Sequence, residues 1–265
     1  VREIHLKYKL THLVSVFALS LGLSAPVQAR VFDFENENLA GYFRGFAVHT
    51  PGAASLIEDS RGGSNVSLDA DSNYGYAAEF GFLVGSQNTL NLKVATEVFQ
   101  AAGGASLEAT DSGGQTLYEL ESSLFAFTPK LILEWIRPIS STQRFFVLFE
   151  AGYSMLSADN VYAMTATGET QLATSNYTEK IRSTAFPVTL GLGYETLFTD
   201  NVTFSVDLGY RYWLAGDWTH KANTETLQGP VREGDPVQTD SGDSRSVNLS
   251  GGFVGLGFRF YIDII

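Results

Sequence analysis

The chain contains no cysteine in 265 residues. Disulfides and thiolate metal sites are thereby excluded, even for a chain that enters an oxidising compartment. Histidine is scarce: of four, only His49 and His220 lie beyond the first 29 residues. Basic residues are the minority, 17 against 29 acidic, giving a formal net charge of −12. Such a balance argues against nucleic acid or another polyanion as partner. No phosphate-binding glycine loop is present, since Gly191-x-Gly193 falls inside a strand pattern. Long apolar runs are missing as well. Past residue 29 nothing approaches the roughly 20 residues that a membrane helix needs, so residence in a membrane must come from strands.

Residues 1–29 read as a secretory signal peptide. Arg2, Lys7 and Lys9 form a basic start, residues 13–23 an apolar core, and Ala25-Pro26-Val27-Gln28-Ala29 a small-residue cleavage region. About 235 residues then remain as one domain, 30–265, with a net charge near −14.

What the chain does have is rhythm. Apolar-alternating stretches fall near 41–49, 73–84, 89–99, 120–136, 144–156, 184–198, 201–214 and 246–262. Long polar segments follow the first, third, fifth and seventh. Gly85-Ser86-Gln87-Asn88, residues 137–143 and Thr199-Asp200 make short turns after the second, fourth and sixth. Long loops at one end and tight turns at the other predict an all-β fold, an eight-stranded antiparallel up-and-down transmembrane β-barrel with four long extracellular loops.

Parity sorts each stretch into two faces. In the seventh, Val202, Phe204, Val206, Leu208, Tyr210 and Tyr212 oppose Thr203, Ser205, Asp207, Gly209 and Arg211. In the eighth, Val254, Leu256, Phe258, Phe260 and Ile262 oppose Gly255, Gly257, Arg259 and Tyr261. One face is continuously apolar, which suits lipid. The other mixes glycine, small polar groups and isolated charges, which suits a polar lumen. Aromatic residues gather at two heights. Phe82, Trp135, Phe145, Phe198 and Phe260 lie toward the short turns; Tyr74, Tyr76, Tyr153, Tyr210 and Tyr212 lie toward the long loops. These are the expected interfacial girdles.

With these features the chain resembles the small eight-stranded outer-membrane barrels: the OmpA membrane domain, OmpX and the opacity-type surface proteins. The resemblance spans the mature chain and rests on strand number, loop rhythm and the last strand. There, Gly255, Phe258 and Phe260 look like the family's insertion signal, although Tyr261-Ile262-Asp263-Ile264-Ile265 extend beyond it. It implies the bacterial outer membrane of a Gram-negative cell. Outer-membrane lipid and lipopolysaccharide are implied as surroundings, and the barrel-assembly machinery as a partner during insertion.

Charges on the inward parity form a candidate lumen network. The basic members are Arg44, Lys93, Lys130, Arg144, Arg211 and Arg259; the acidic ones are Glu79, Glu97, Glu134, Glu150, Glu195 and Asp207. Eight strands leave an interior that side chains can fill, so a salt-bridged plug is expected over an ion path. Inner-face glycines 191, 193, 255 and 257 would make room for the long charged side chains. A hairpin centred near Ser86 would set Glu79 directly opposite Lys93.

Catalytic and metal patterns are weak. His49 with Asp71-Ser72 offers the residue types of the palmitoyl-transferring lipid-A barrels, but the amphipathic helix those proteins place before the barrel is missing from residues 30–40. His49-Thr50-Pro51 and His220-Lys221-Ala222 do not fit the His-x-Ser of the deacylase type. Asp69-x-Asp71-x-Asn73 starts like a calcium loop, yet Tyr74 and Phe80 occupy its glycine and bidentate glutamate places. The expectation is therefore a non-enzymatic surface barrel without cofactor or metal, its loops contacting a host or envelope component. The alternatives are a small passive pore and a lipid-A-modifying enzyme.

Overall fold

The computed structural model describes residues 32–262 except 54–55, 57–61, 64, 69–73, 87–88 and 102–106. Residues 1–29, read above as a signal peptide, lie outside the described residues, as do Asp69, Asp71, Ser72 and Asn73 of the candidate calcium and lipid-A motifs.

Eight antiparallel strands form a closed ring: β1 (Leu39–His49), β2 (Tyr74–Ser86), β3 (Leu90–Ala101), β4 (Thr116–Ser140), β5 (Gln143–Gly152), β6 (Val188–Thr199), β7 (Val202–Tyr212) and β8 (Gly251–Tyr261). Each pairs with its chain neighbour. Closure comes from β8 on β1, where Phe43 faces Phe258 and Arg44 faces Gly257. A closed ring leaves no unpaired edge, the condition for β-structure in hydrocarbon.

Alternation sets the two faces as the sequence implies. Phe125, Phe127, Leu131, Leu133 and Trp135 of β4 are exposed on the outside, while Ala126, Thr128, Lys130, Ile132 and Glu134 between them are buried inside. From Phe125 to Trp135 a tilted strand climbs about 25 Å, the height of an outer-membrane apolar band. Tyr74, Tyr76, Tyr210 and Tyr212 are exposed at the long-loop end, and Phe82, Trp135, Phe145 and Phe198 at the short-turn end.

Above the band the structure departs from the expected polar loops. The strands do not stop. Ser154–Met164 and Tyr177–Ala185 continue β5 and precede β6, and Leu214–His220 continues β7. Ala151 faces Val188 below the interruption and Ser154 faces Ala185 above it, so the register runs through unchanged. Pro129 and Pro187 mark the break. Neither has an N–H to give, and their carbonyls accept from Tyr153 N (3.1 Å) and Gly152 N (3.1 Å) respectively.

Across this break the polarity of the two faces inverts. On β4 the outward positions become Glu119, Glu121 and Ser123, while Tyr118, Leu120 and Leu124 turn inward and are buried. Trp213, Trp218, Leu156, Tyr162, Ile181, Val237 and Leu249 join them in one apolar core. The part at the long-loop end is thus a folded head with an oily inside and a polar outside, built on strands that have the opposite pattern within the band. Polar outward residues at every second position made these segments look like loops in the sequence.

Candidate functional site

All twelve candidate lumen charges are buried inside the ring. They fall into two layers. In the layer toward the short turns, Arg259 forks onto Glu134 (3.0 and 2.9 Å) and also reaches Glu195 (2.8 Å). Lys93 pairs with Glu134, and Arg144 donates from Nε to Glu195 (2.8 Å). Asn91 adds a bond to Glu134 (3.0 Å), and the Tyr261 hydroxyl donates to Glu195 (2.9 Å).

In the layer toward the long loops, Arg44 reaches Glu79 (3.2 Å), Glu150 (2.6 Å) and Asp207 (2.7 Å). Lys130 bonds Glu97 (2.7 Å), Glu150 (2.9 Å) and Glu79. Arg211 forks onto Glu97 at 2.7 and 2.8 Å. Carboxylate oxygens of Glu79, Glu97 and Glu150 come within 4.8 Å of one another, a spacing compatible with a metal ion. The Lys130 ammonium already bonds all three.

Charge balances over the whole lumen but not within each layer. The lower layer holds three cations and two anions, the upper three cations and four anions. The Tyr42 hydroxyl donates to Glu79 (2.8 Å) while its ring lies 4.6 Å from the Lys93 ammonium, so one side chain ties the layers together. Aromatic faces supply further stabilisation. The Phe46 ring has Arg44, Arg211 and Lys130 within 4.7, 5.0 and 5.4 Å of its centroid.

Glu79 and Lys93 are not partners. Glu79 faces Glu97 across the hairpin, and Lys93 faces Leu83. The first of the two strands runs on to Ser86, past the expected end at 84, and the second starts at Leu90; pairing Ser86 with Leu90 moves the hairpin centre two residues along. The glycines also divide differently. A Cβ at Gly255 would lie 2.7 Å from Asp207 Oδ1 and 3.0 Å from Arg44 Nε, so that glycine does admit the ion pair. Gly193 instead admits the Phe146 ring, and Gly191 makes way for Leu148.

Apolar layers close the lumen on both sides of the charges. Phe99, Trp213 and Phe253 lie above, with Phe99 and Trp213 edge to face at 5.1 Å. Phe32, Phe34 and Tyr261 cluster below, and the Phe34 ring stacks 3.9 Å from the Arg144 guanidinium.

The remaining sequence candidates are placed as follows. In the last strand Gly255 faces the lumen, while Phe258 and Phe260 face outward. His49 is exposed at the outer end of β1, its ring 5.1 Å from that of Tyr74.

A third polar cluster, in the head, was not read from the sequence. Glu179 is buried and accepts at Oε2 from Asn160 (2.9 Å) and Arg245 (3.1 Å). Beside it His220 is buried, and burial pulls its pKa below the usual histidine value, against the raising influence of Glu179. The only available signal was parity, since Glu179 alternates with Ile181, Ser183 and Ala185.

No protein-family model and no curated protein sequence matches this chain. Solved structures do. A major outer-membrane protein of Thermus thermophilus aligns with a TM-score of 0.50 at 13% identity, over 84% of this chain and 99% of that one. The outer-membrane protein OprG of Pseudomonas aeruginosa aligns with a TM-score of 0.49 at 9% identity, over 89% and 100%. Identities this low speak for the fold alone. The protein is a small eight-stranded barrel of the outer-membrane type, the fold of proteins that reside in the bacterial outer membrane.

Proposed function

We propose that this protein is a closed, non-enzymatic barrel that holds a folded interaction head at the cell surface. One observation carries the reading: a lumen filled from end to end by two paired charge layers and the aromatic layers that cap them. A conducting pore needs continuous water, whereas these charges are paired with one another. Reconstitution into planar bilayers tests it. Steady single-channel currents from the intact protein would overturn the closed-barrel reading.

The head's surroundings follow from its outer wall. Among the described residues, Lys180 and Arg182 are exposed on one strand extension above the outer aromatic girdle, and Lys221 is exposed just past the end of the neighbouring extension. The Lys221 N–H donates to the Lys180 carbonyl (2.7 Å), which holds the two side-chain origins close together. These cations suit the phosphates of lipopolysaccharide directly, in place of the divalent bridging that acidic loops alone would require. The barrel-assembly machinery remains the proposed partner in insertion, and Gly255, Phe258 and Phe260 the proposed signal.

A further inference from the structure

We infer that the head carries a binding site for a small aliphatic amine, in the cavity between Glu179, His220 and the turn that ends at Gln238. This rests on the reading of the head as the interacting part and names a ligand class for it. The cavity holds about 240 Å³. A cavity of ~150 Å³ is enough for benzene, so a compact molecule of several carbons fits.

Its floor is buried: Glu179, His220 and Thr226 are each about 2–3% exposed. Its rim is open, with Gln228, Pro230, Pro236 and Gln238 exposed. The frame is ordered by main-chain bonds, His220 N to Asp235 O (3.0 Å) and Gly234 N to His220 O (2.9 Å).

Three features select the ligand. First, the carboxylates lining the cavity are Glu179 and Asp235, and no lysine or arginine lines it. Arg245 stands behind Glu179, where it and Asn160 donate to Oε2 (3.1 and 2.9 Å), and a carboxylate offers about four acceptor sites in all. Second, His220 Nδ1 is buried and has no hydrogen-bond partner. A buried ring nitrogen left unmet costs stability, and a ligand hydrogen bond would remove that cost. Third, Pro230, Val231 and Pro236 give apolar wall for methylene groups. A bare metal ion fits poorly: among the described residues, the only three acidic or histidine side chains close enough to share one are in the lumen.

Isothermal titration of the full detergent-solubilised protein with 1,4-diaminobutane tests this, with 1-butanol and inorganic phosphate as comparisons. Saturable binding of the diamine alone is expected. Glu179→Gln should weaken it about tenfold or more, as loss of a charged hydrogen bond does. Because that change also touches Arg245, Asp235→Asn serves as the second variant; its amide oxygen can still accept from Arg232 N, which Asp235 now does at 2.7 Å. It too should weaken binding. No binding by the intact protein, equal binding of 1-butanol, preference for phosphate, or unchanged affinity in both variants would each overturn the site. Binding is read without reference to conductance, so a barrel that conducts yet binds the diamine sinks only the closed-barrel reading.

Discussion

Of the two lumen lysines, Lys130 has more to lose than Lys93. Its ammonium meets three carboxylates, those of Glu79, Glu97 and Glu150. Lys93 meets Glu134, which Arg259 already engages through both oxygens. Removing one partner of a buried pair strands the other. Lys130→Met should therefore cost about 3–5 kcal/mol in urea unfolding from lipid vesicles, and Lys93→Met clearly less. Equal losses would contradict the network described here. The same geometry makes a sharper statement about Glu79 and Lys93. Adding Glu79→Lys to Lys93→Glu should not recover stability, since neither residue faces the other; recovery would mean a different hairpin register.

At the scale of the strand, the inversion of polarity across Pro129 and Pro187 explains how one continuous ladder serves two solvents. Lipid demands apolar side chains outside, and water above it demands the reverse. The outward positions after Phe186, read back along its strand, are Thr184, Arg182, Lys180 and Thr178, all exposed. Arg182 and Lys180 thus stand roughly 13 and 20 Å of strand beyond the girdle, the height proposed above for contact with lipopolysaccharide phosphates. Replacing Lys180, Arg182 and Lys221 together by glutamine should abolish most of the thermal stabilisation that added lipopolysaccharide confers on the detergent-solubilised protein. Stabilisation by phosphatidylethanolamine should be unaffected. An unchanged lipopolysaccharide effect would remove this strip as a contact.

For the whole molecule, three tight turns lie at one end and the head at the other. A barrel inserted from the periplasm keeps its short turns there. An epitope inserted at Gly113-Gly114, in the turn closed by Asp111, or at Gly242, should bind antibody on intact cells. One at Gly85-Ser86 should bind only after permeabilisation. Labelling of the latter on intact cells would reverse the topology.

How much of this was legible in the chain depends on the range of the cause. Alternation with period two is a property of a single extended strand, so eight stretches, their lipid faces and the inward parity of all twelve charges were written locally. Val202 to Tyr212 and Phe258 to Ile262 need no partner to declare their faces. Which charge meets which is another matter. Arg44 reaches Asp207 across 163 residues and Arg259 reaches Glu134 across 125, and both meetings depend on ring closure and on the position of every turn. A two-residue error in one hairpin centre was enough to misassign Glu79 and Lys93. The head was hidden for a related reason. Its strands turn their polar side outward to water, so they imitate loops until the register inherited from the membrane band shows Leu120, Tyr162, Ile181 and Trp218 packed together inside. Local sequence thus decides which way a side chain points, while the closed ring, through its register, decides what it finds there.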